Sequence, residues 1–202
     1  MLVKEIIDRF AAFILLVCLS GFLLIIGMLI KLTSRGPVFF RQERAGLNGK
    51  PFLIYKFRTM LVNAEKMDGG YAAFEQDPRI TKLGRFLRKS SLDELPQLIN
   101  VLRGEMSLIG PRPTLMDQVE KYDNRKRKRL DMKPGITGWA QINGRNSLSW
   151  PEKIELDLWY VANWSIWLDL IILLKTIKVV VGSGDIYVKK TNCVRESKEM
   201  KM

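Results

Sequence analysis

The sequence predicts a helix-rich α+β protein. A membrane-inserted N-terminal helix joins a small domain with one β-hairpin and amphipathic interfacial helices. Three observations predict this. Phe10 to Ile30 is a run of 21 residues without a charge. Asn48-Gly49 separates two short β-prone runs, which is a strong hairpin signal. Leu95, Leu98, Ile99 and Leu102 then recur at helical spacing.

The apolar run makes about 31 Å of helix, close to the thickness of a hydrocarbon core. It is too long for a signal peptide, and no small-residue cleavage site follows it. Lys4 and Arg9 precede it, and Lys31 and Arg35 follow it. That balance lacks the asymmetry of a spanning helix and suits a segment that dips in and returns to one face. A straight span stays open. Ser20-Gly21 marks the midpoint, where a bend could form.

Thr33 to Pro37 is a breaker cluster and the exit from the membrane. The chain thus divides into a membrane segment and linker over 1–36, a folded domain over 37–182, and a flexible polar tail over 183–202. Val38 to Gln42 and Phe52 to Phe57 read as the hairpin strands, with Lys56 and Arg58 on one face of the second. Met60 to Met67 reads as helix, and Gly69-Gly70 and Asp77-Pro78 bracket a loop. Leu83 to Lys89 mixes apolar and basic residues. A helix with one buried stripe starts near Asp93 and stops at Arg103-Gly104. All five tryptophans fall between residues 139 and 167, which fits either a headgroup boundary or a core. Ile166 to Leu174 is too short to span and reads as a buried or interfacial helix.

Composition narrows the function. The net charge of +12 and pI near 9.8 imply polyanionic partners: nucleic acid, anionic lipid or phosphorylated substrates. With no histidine, acid–base or nucleophilic chemistry must come from other groups. Cys18 and Cys193 lack the spacing of a zinc site or disulfide framework and fit a reducing compartment.

Two segments carry chemistry. Ser91-Leu92-Asp93-Glu94 fits an S-x-x-E capping box, with acids complementing a helix start. The same geometry can hold a phosphate beside an ionised carboxylate, which can attack phosphorus. Neighbouring helical positions face different ways, so one acid can attack while the other binds metal or handles a proton. In Gly110-Pro111-Arg112-Pro113 the two prolines restrain an arginine suited to bidentate phosphate binding, though a plain turn is the alternative. Lys133 to Asn146 is dense in glycine and amides and can approach a nucleotide or sugar closely, or be plain loop.

These segments, with Lys56-Phe57-Arg58-Thr59-Met60 and with Asp157, Tyr160, Asn163 and Asp169, resemble the monotopic bacterial phosphoglycosyl transferases, also called bacterial sugar transferases. The resemblance runs from the apolar segment to about Val181. It implies transfer of a sugar 1-phosphate from a UDP-sugar to polyprenol phosphate, with UMP released and Mg²⁺ required. It implies Asp93 as nucleophile, Glu94 assisting with metal or proton transfer, and both carboxylates as metal ligands. Arg112 would grip phosphate. Lys56, Arg58, Arg88, Asp169, Gln141, Asn143 and Arg145 would bind substrate or support the site. It implies a re-entrant helix–break–helix, although the family's Ser-Pro is Ser20-Gly21 here. The catalytic domain would sit on the cytoplasmic face of the bacterial inner membrane. Membrane lipids would be partners, nucleic acid would not, and a homodimer is allowed.

Two other readings stand beside it. Lys121 to Lys133 holds seven Lys or Arg against two Asp, enough for a membrane-anchored basic module binding anionic lipid or nucleic acid. A platform for other glycan enzymes is the third, and intact Asp93, Glu94 and Arg112 argue against it.

Overall fold

A computed structural model describes residues 1–64, 67 and 76–182. The Gly69-Gly70 loop and the 183–202 tail lie outside the described residues. Helix α1 (Leu2–Thr33) is one unbroken helix of 32 residues, about 48 Å long. The expected break at Ser20-Gly21 is absent. Ser20 Oγ donates to the Val17 carbonyl at 2.8 Å, and without a proline the helical N–H ladder has no missing donor.

One face of α1 packs on the domain from end to end. Ala12 and Leu16 join Phe52, Ile54, Leu98, Val101 and Met106. Leu23, Ile26 and Ile30 join Phe57 and Leu87. Lys4 and Asp8 are buried on that same face. The rest of the helix is apolar and bare, with Leu24 68% and Phe10 66% exposed. So large an exposed apolar surface associates the protein with a membrane.

Strands β1 (Phe39–Ala45) and β2 (Pro51–Phe57) form the antiparallel hairpin, each longer than its sequence signal. Its turn uses Asn48 and Gly49 at φ 54° and 76°, the left-handed region that asparagine and glycine tolerate best. The helix expected over Met60 to Met67 does not form in the described residues. Met60 instead bridges Ile80, and Asn63 sits at φ 62°. Helix α2 (Lys82–Lys89) starts at Thr81, whose hydroxyl caps Gly84 N–H.

The stripe around Leu98 is built differently from its periodicity. Leu92–Gln97 is a 3₁₀ turn containing Pro96, and only Leu98–Leu102 is α-helical (α3). The shift in winding buries Leu98 and Val101 and leaves Leu102 exposed.

Strand β3 (Ser107–Ile109) pairs in parallel with β4 (Gly135–Thr137); the short helices α4 (Met116–Glu120) and α5 (Asn124–Arg127) lie between them in the chain. The pair forces backbones together where it ends. A Cβ on Gly138 would stand 2.1 Å from the Gly110 carbonyl oxygen, so only glycine fits. This contact seats the Gly110–Pro113 segment against the Lys133–Asn146 segment. After α6 (Trp139–Ile142) come α7 (Trp150–Ala162) and α8 (Ile166–Val181). None of the five tryptophans is fully buried, so they do not fill a core. Trp139 stacks on Trp159 at 4.8 Å, and Trp167 is 69% exposed at the start of α8.

Candidate active site

The Ser91–Glu94 capping box does not form. Ser91 adopts φ 56° and caps nothing with its side chain. Glu94 turns away from the helix start: its Oε1 accepts from Lys56 Nζ at 2.7 Å and from Arg112 Nη2 at 3.0 Å. The capping box of this fold is at Ser149 and Glu152, on α7.

Each member of this cluster comes from a different element. Lys56 is on β2, Glu94 on the 3₁₀ turn, and Arg112 between its two prolines. Behind Arg112 stands Arg129, fully buried and missed by the sequence reading. Its Nη2 donates to the Arg112 carbonyl at 2.8 Å. Its Nε bonds Asp157 at 2.7 Å, and it also bonds Thr114 and Tyr122. The arginine that points outward is thus held by one that points inward.

Asp93 differs from its neighbour. Among the described residues its carboxylate has no hydrogen-bond or ion-pair partner. Burial, followed by the charge of Glu94, pushes its pKa up to about 6; Lys56, Arg88 and Arg112 offset this in part. Burial acts on Glu94 in the same direction. There, however, Arg112 and Lys56 outweigh it and hold the carboxyl well below the usual range. Burial also lowers Lys56, with Glu94 restoring part of the shift. Two adjacent carboxylates therefore stand in opposite electrostatic states.

Of the other expected residues, Arg88 and Arg145 lie close enough for their charges to act on the two acids. Arg88 donates to Thr59 Oγ1 at 2.8 Å, and its charge acts on Asp93. Arg145 reaches Ser91 Oγ at 3.4 Å. The side chain of Gln141 has both polar atoms buried with no hydrogen-bond partner among the described residues. Asn143 bonds only the Trp139 carbonyl of its own helix among the described residues. Arg58 does not join Lys56 at Glu94. It lies one residue beyond β2 and donates to the Ser34 and Arg35 carbonyls and to Ser34 Oγ at 2.7–2.8 Å, closing the end of α1.

Asp169 belongs to a second, buried network. It accepts from Lys4 Nζ at 2.5 Å, Tyr160 OH at 2.6 Å and Trp164 Nε1 at 3.1 Å. Asp8 extends the network by accepting from Ser107 Oγ at 2.5 Å. Asp169 thus fastens α8 to α1, and its bonded partners are not members of the Glu94 cluster.

The basic run from Lys121 to Lys133 does not present one charged face. Arg129 is buried, Arg125 pairs with Glu155, Lys126 with Asp123 and Lys133 with Glu5.

A histidine-free basic domain, bound along an exposed apolar helix and carrying a carboxylate pair braced by cations, is built as a membrane-associated phosphoglycosyl transferase. The chain belongs to the bacterial sugar transferase family, whose profile matches residues 1–183. It is 50% identical over 195 residues to the uncharacterized sugar transferase EpsL of Bacillus subtilis, covering 96% of this chain and 94% of that one. It is 41% identical over 198 residues to the exopolysaccharide production protein ExoY of Sinorhizobium fredii, covering 91% and 88%. It is 46% identical over 185 residues to a UDP-glucose:undecaprenyl-phosphate glucose-1-phosphate transferase of Klebsiella pneumoniae, covering 88% of this chain but 40% of that protein.

Proposed function

We propose that the protein transfers a sugar 1-phosphate from a UDP-sugar to undecaprenyl phosphate, releasing UMP, through a covalent intermediate on Asp93. This would be the first membrane step of a bacterial glycoconjugate pathway. The observation that carries the reading is the opposed state of the two acids. Glu94 is fixed and neutralised, whereas Asp93 is unpaired among the described residues and more basic than an ordinary aspartate. With a pKa near 6 it is about nine-tenths ionised at pH 7 and remains a better nucleophile than a carboxylate of ordinary pKa.

In the first step an Asp93 oxygen attacks the phosphorus that bears the sugar. The bond from that phosphorus to the bridging oxygen breaks, and its electron pair leaves with UMP. Arg112, rigid between prolines and braced by Arg129, faces the charge that develops. In the second step an oxygen of the lipid phosphate attacks the same phosphorus. The bond to Asp93 breaks, the carboxylate is restored, and the sugar remains on the lipid as a diphosphate.

Magnesium fits these residues. Glu94 uses one oxygen, Oε1, for both of its cations, and Asp93 uses neither of its own among the described residues. No cage of three acidic, cysteine or histidine ligands exists among the described residues. That suits an ion which keeps several waters and shares one or two carboxylates with substrate phosphates. When bound, Mg²⁺ would offset the charge between the carboxylates and the diphosphate.

Both ends of α1 pack on the domain, Lys4 at one and Ile30 about 39 Å along. That supports a monotopic placement, with both ends on the cytoplasmic side of the inner membrane. Incubation with a panel of UDP-sugars and undecaprenyl phosphate tests the reaction by UMP release. Labelled sugar phosphate trapped on Asp93 is the expected result, and label on any other residue contradicts the assignment.

A further inference from the structure

The hairpin face that carries Lys56 carries a second cation, Arg44. Phe40 pairs with Lys56, Gln42 with Ile54 and Arg44 with Phe52. By the pleat these six side chains share one side. Arg44, Lys56 and Arg112 line a single open cleft with Ile54, Gln97 and Pro113. Arg44 is held in place there: Nη2 donates to Gln42 Oε1 at 2.6 Å and Nη1 to the Pro113 carbonyl at 3.2 Å. Lys56 and Arg112 already share Glu94, and Arg44 brings a third cation to the same cleft. Guanidinium groups match phosphoryl oxygens in shape and charge.

We propose that this cleft is the subsite for the phosphoryl group that departs with the nucleotide, and that Arg44 is its third cation. The inference rests on the reaction proposed above. When Asp93 attacks the sugar-bearing phosphorus, the second phosphoryl group is one bridging oxygen away and gains negative charge as the bond breaks. Arg44 binds that group and takes no part in receiving the lipid.

Equilibrium binding of UMP to the full chain in detergent tests this, with wild type, Arg44→Gln and Arg44→Lys compared at equal thermal stability. Glutamine keeps a donor for the Pro113 carbonyl and removes the charge; lysine keeps the charge. UMP should bind Arg44→Gln about tenfold more weakly than wild type, and Arg44→Lys, which keeps the charge but not the fork, between the two. Unchanged affinity in Arg44→Gln, or equal loss in both variants, overturns the proposal. A rise in KM for undecaprenyl phosphate without loss of UMP affinity also overturns it and assigns the cleft to lipid phosphate. Should the variants not fold, wild type alone decides: UMP should bind at least about tenfold tighter than uridine, and equal affinity refutes the subsite. Failure of the covalent mechanism would appear as absent label on Asp93, whereas failure of the subsite appears in UMP affinity.

Discussion

Two regions of this protein set a lysine against a carboxylate, and they do so to different ends. At Asp169 the pairing is complete. Lys4, Tyr160 and Trp164 all donate to it, the site is buried, and the result is a joint between α8 and α1. At Glu94 the pairing with Lys56 and Arg112 is equally tight, but the acid beside it has no partner among the described residues. The difference teaches how a fold separates holding from reacting. A satisfied carboxylate stabilises; an unsatisfied one, kept next to a neutralised twin, is available for chemistry at a cost to the folded state.

Asp93→Asn should break the comparison most sharply. Transfer should fall by about 10⁴-fold or more, read as UMP release, with the fold retained because the side chains are near-isosteric. At the joint the reverse is expected. Asp169→Ala takes the acceptor from Tyr160 and Trp164 and leaves buried Lys4 only Asp8, 3.6 Å away, among the described residues; it should cost about 3 kcal/mol of stability, read by denaturant unfolding, while the folded fraction keeps its KM for UDP-sugar. Removing one brace, as in Lys56→Met, should lower kcat about 10²-fold, since Glu94 then keeps Arg112 alone.

Two smaller effects sharpen the contrast. Activity should rise with pH through about 6 and level off above, because Asp93 must be ionised to attack. The linked stability has the opposite sign. The folded-state pKa lies above the unfolded one, so Asp93 favours folding below about pH 4 and progressively opposes it up to pH 6 and beyond. Asp93→Asn should therefore stabilise the protein by about 1–2 kcal/mol at pH 7.5. A melting temperature that does not rise would show that Asp93 has a partner after all.

Much of this was legible in the sequence, for local reasons. The membrane helix follows from its length without charge, and the hairpin from Asn48-Gly49. The Glu94–Arg112 pairing joins two segments that had been singled out separately. What sequence could not give were the long-range pairings. Ser91 to Glu94 reads as a capping box because that pattern is local, but Lys56, 38 residues upstream, competes for the glutamate and wins. Asp169 was expected near the site, yet its partner is 165 residues away at the chain start. Arg58 shares the strand period with Lys56 on paper, but β2 ends at Phe57. Arg44 could have been found, since the hairpin register places it on the face of Lys56. Arg129 offered no such signal within a run of similar charges.

The joint between Lys4 and Asp169 also constrains how the molecule is made. The first turn of α1 leaves the ribosome long before its partner on α8 is translated. Until then Lys4 and Asp8 must stay hydrated at the bilayer surface, and α1 cannot settle into its final seat. Closure therefore waits until the chain has been made as far as Asp169, and a chain cut before that point leaves Lys4 with Asp8 as its one acidic partner among the described residues.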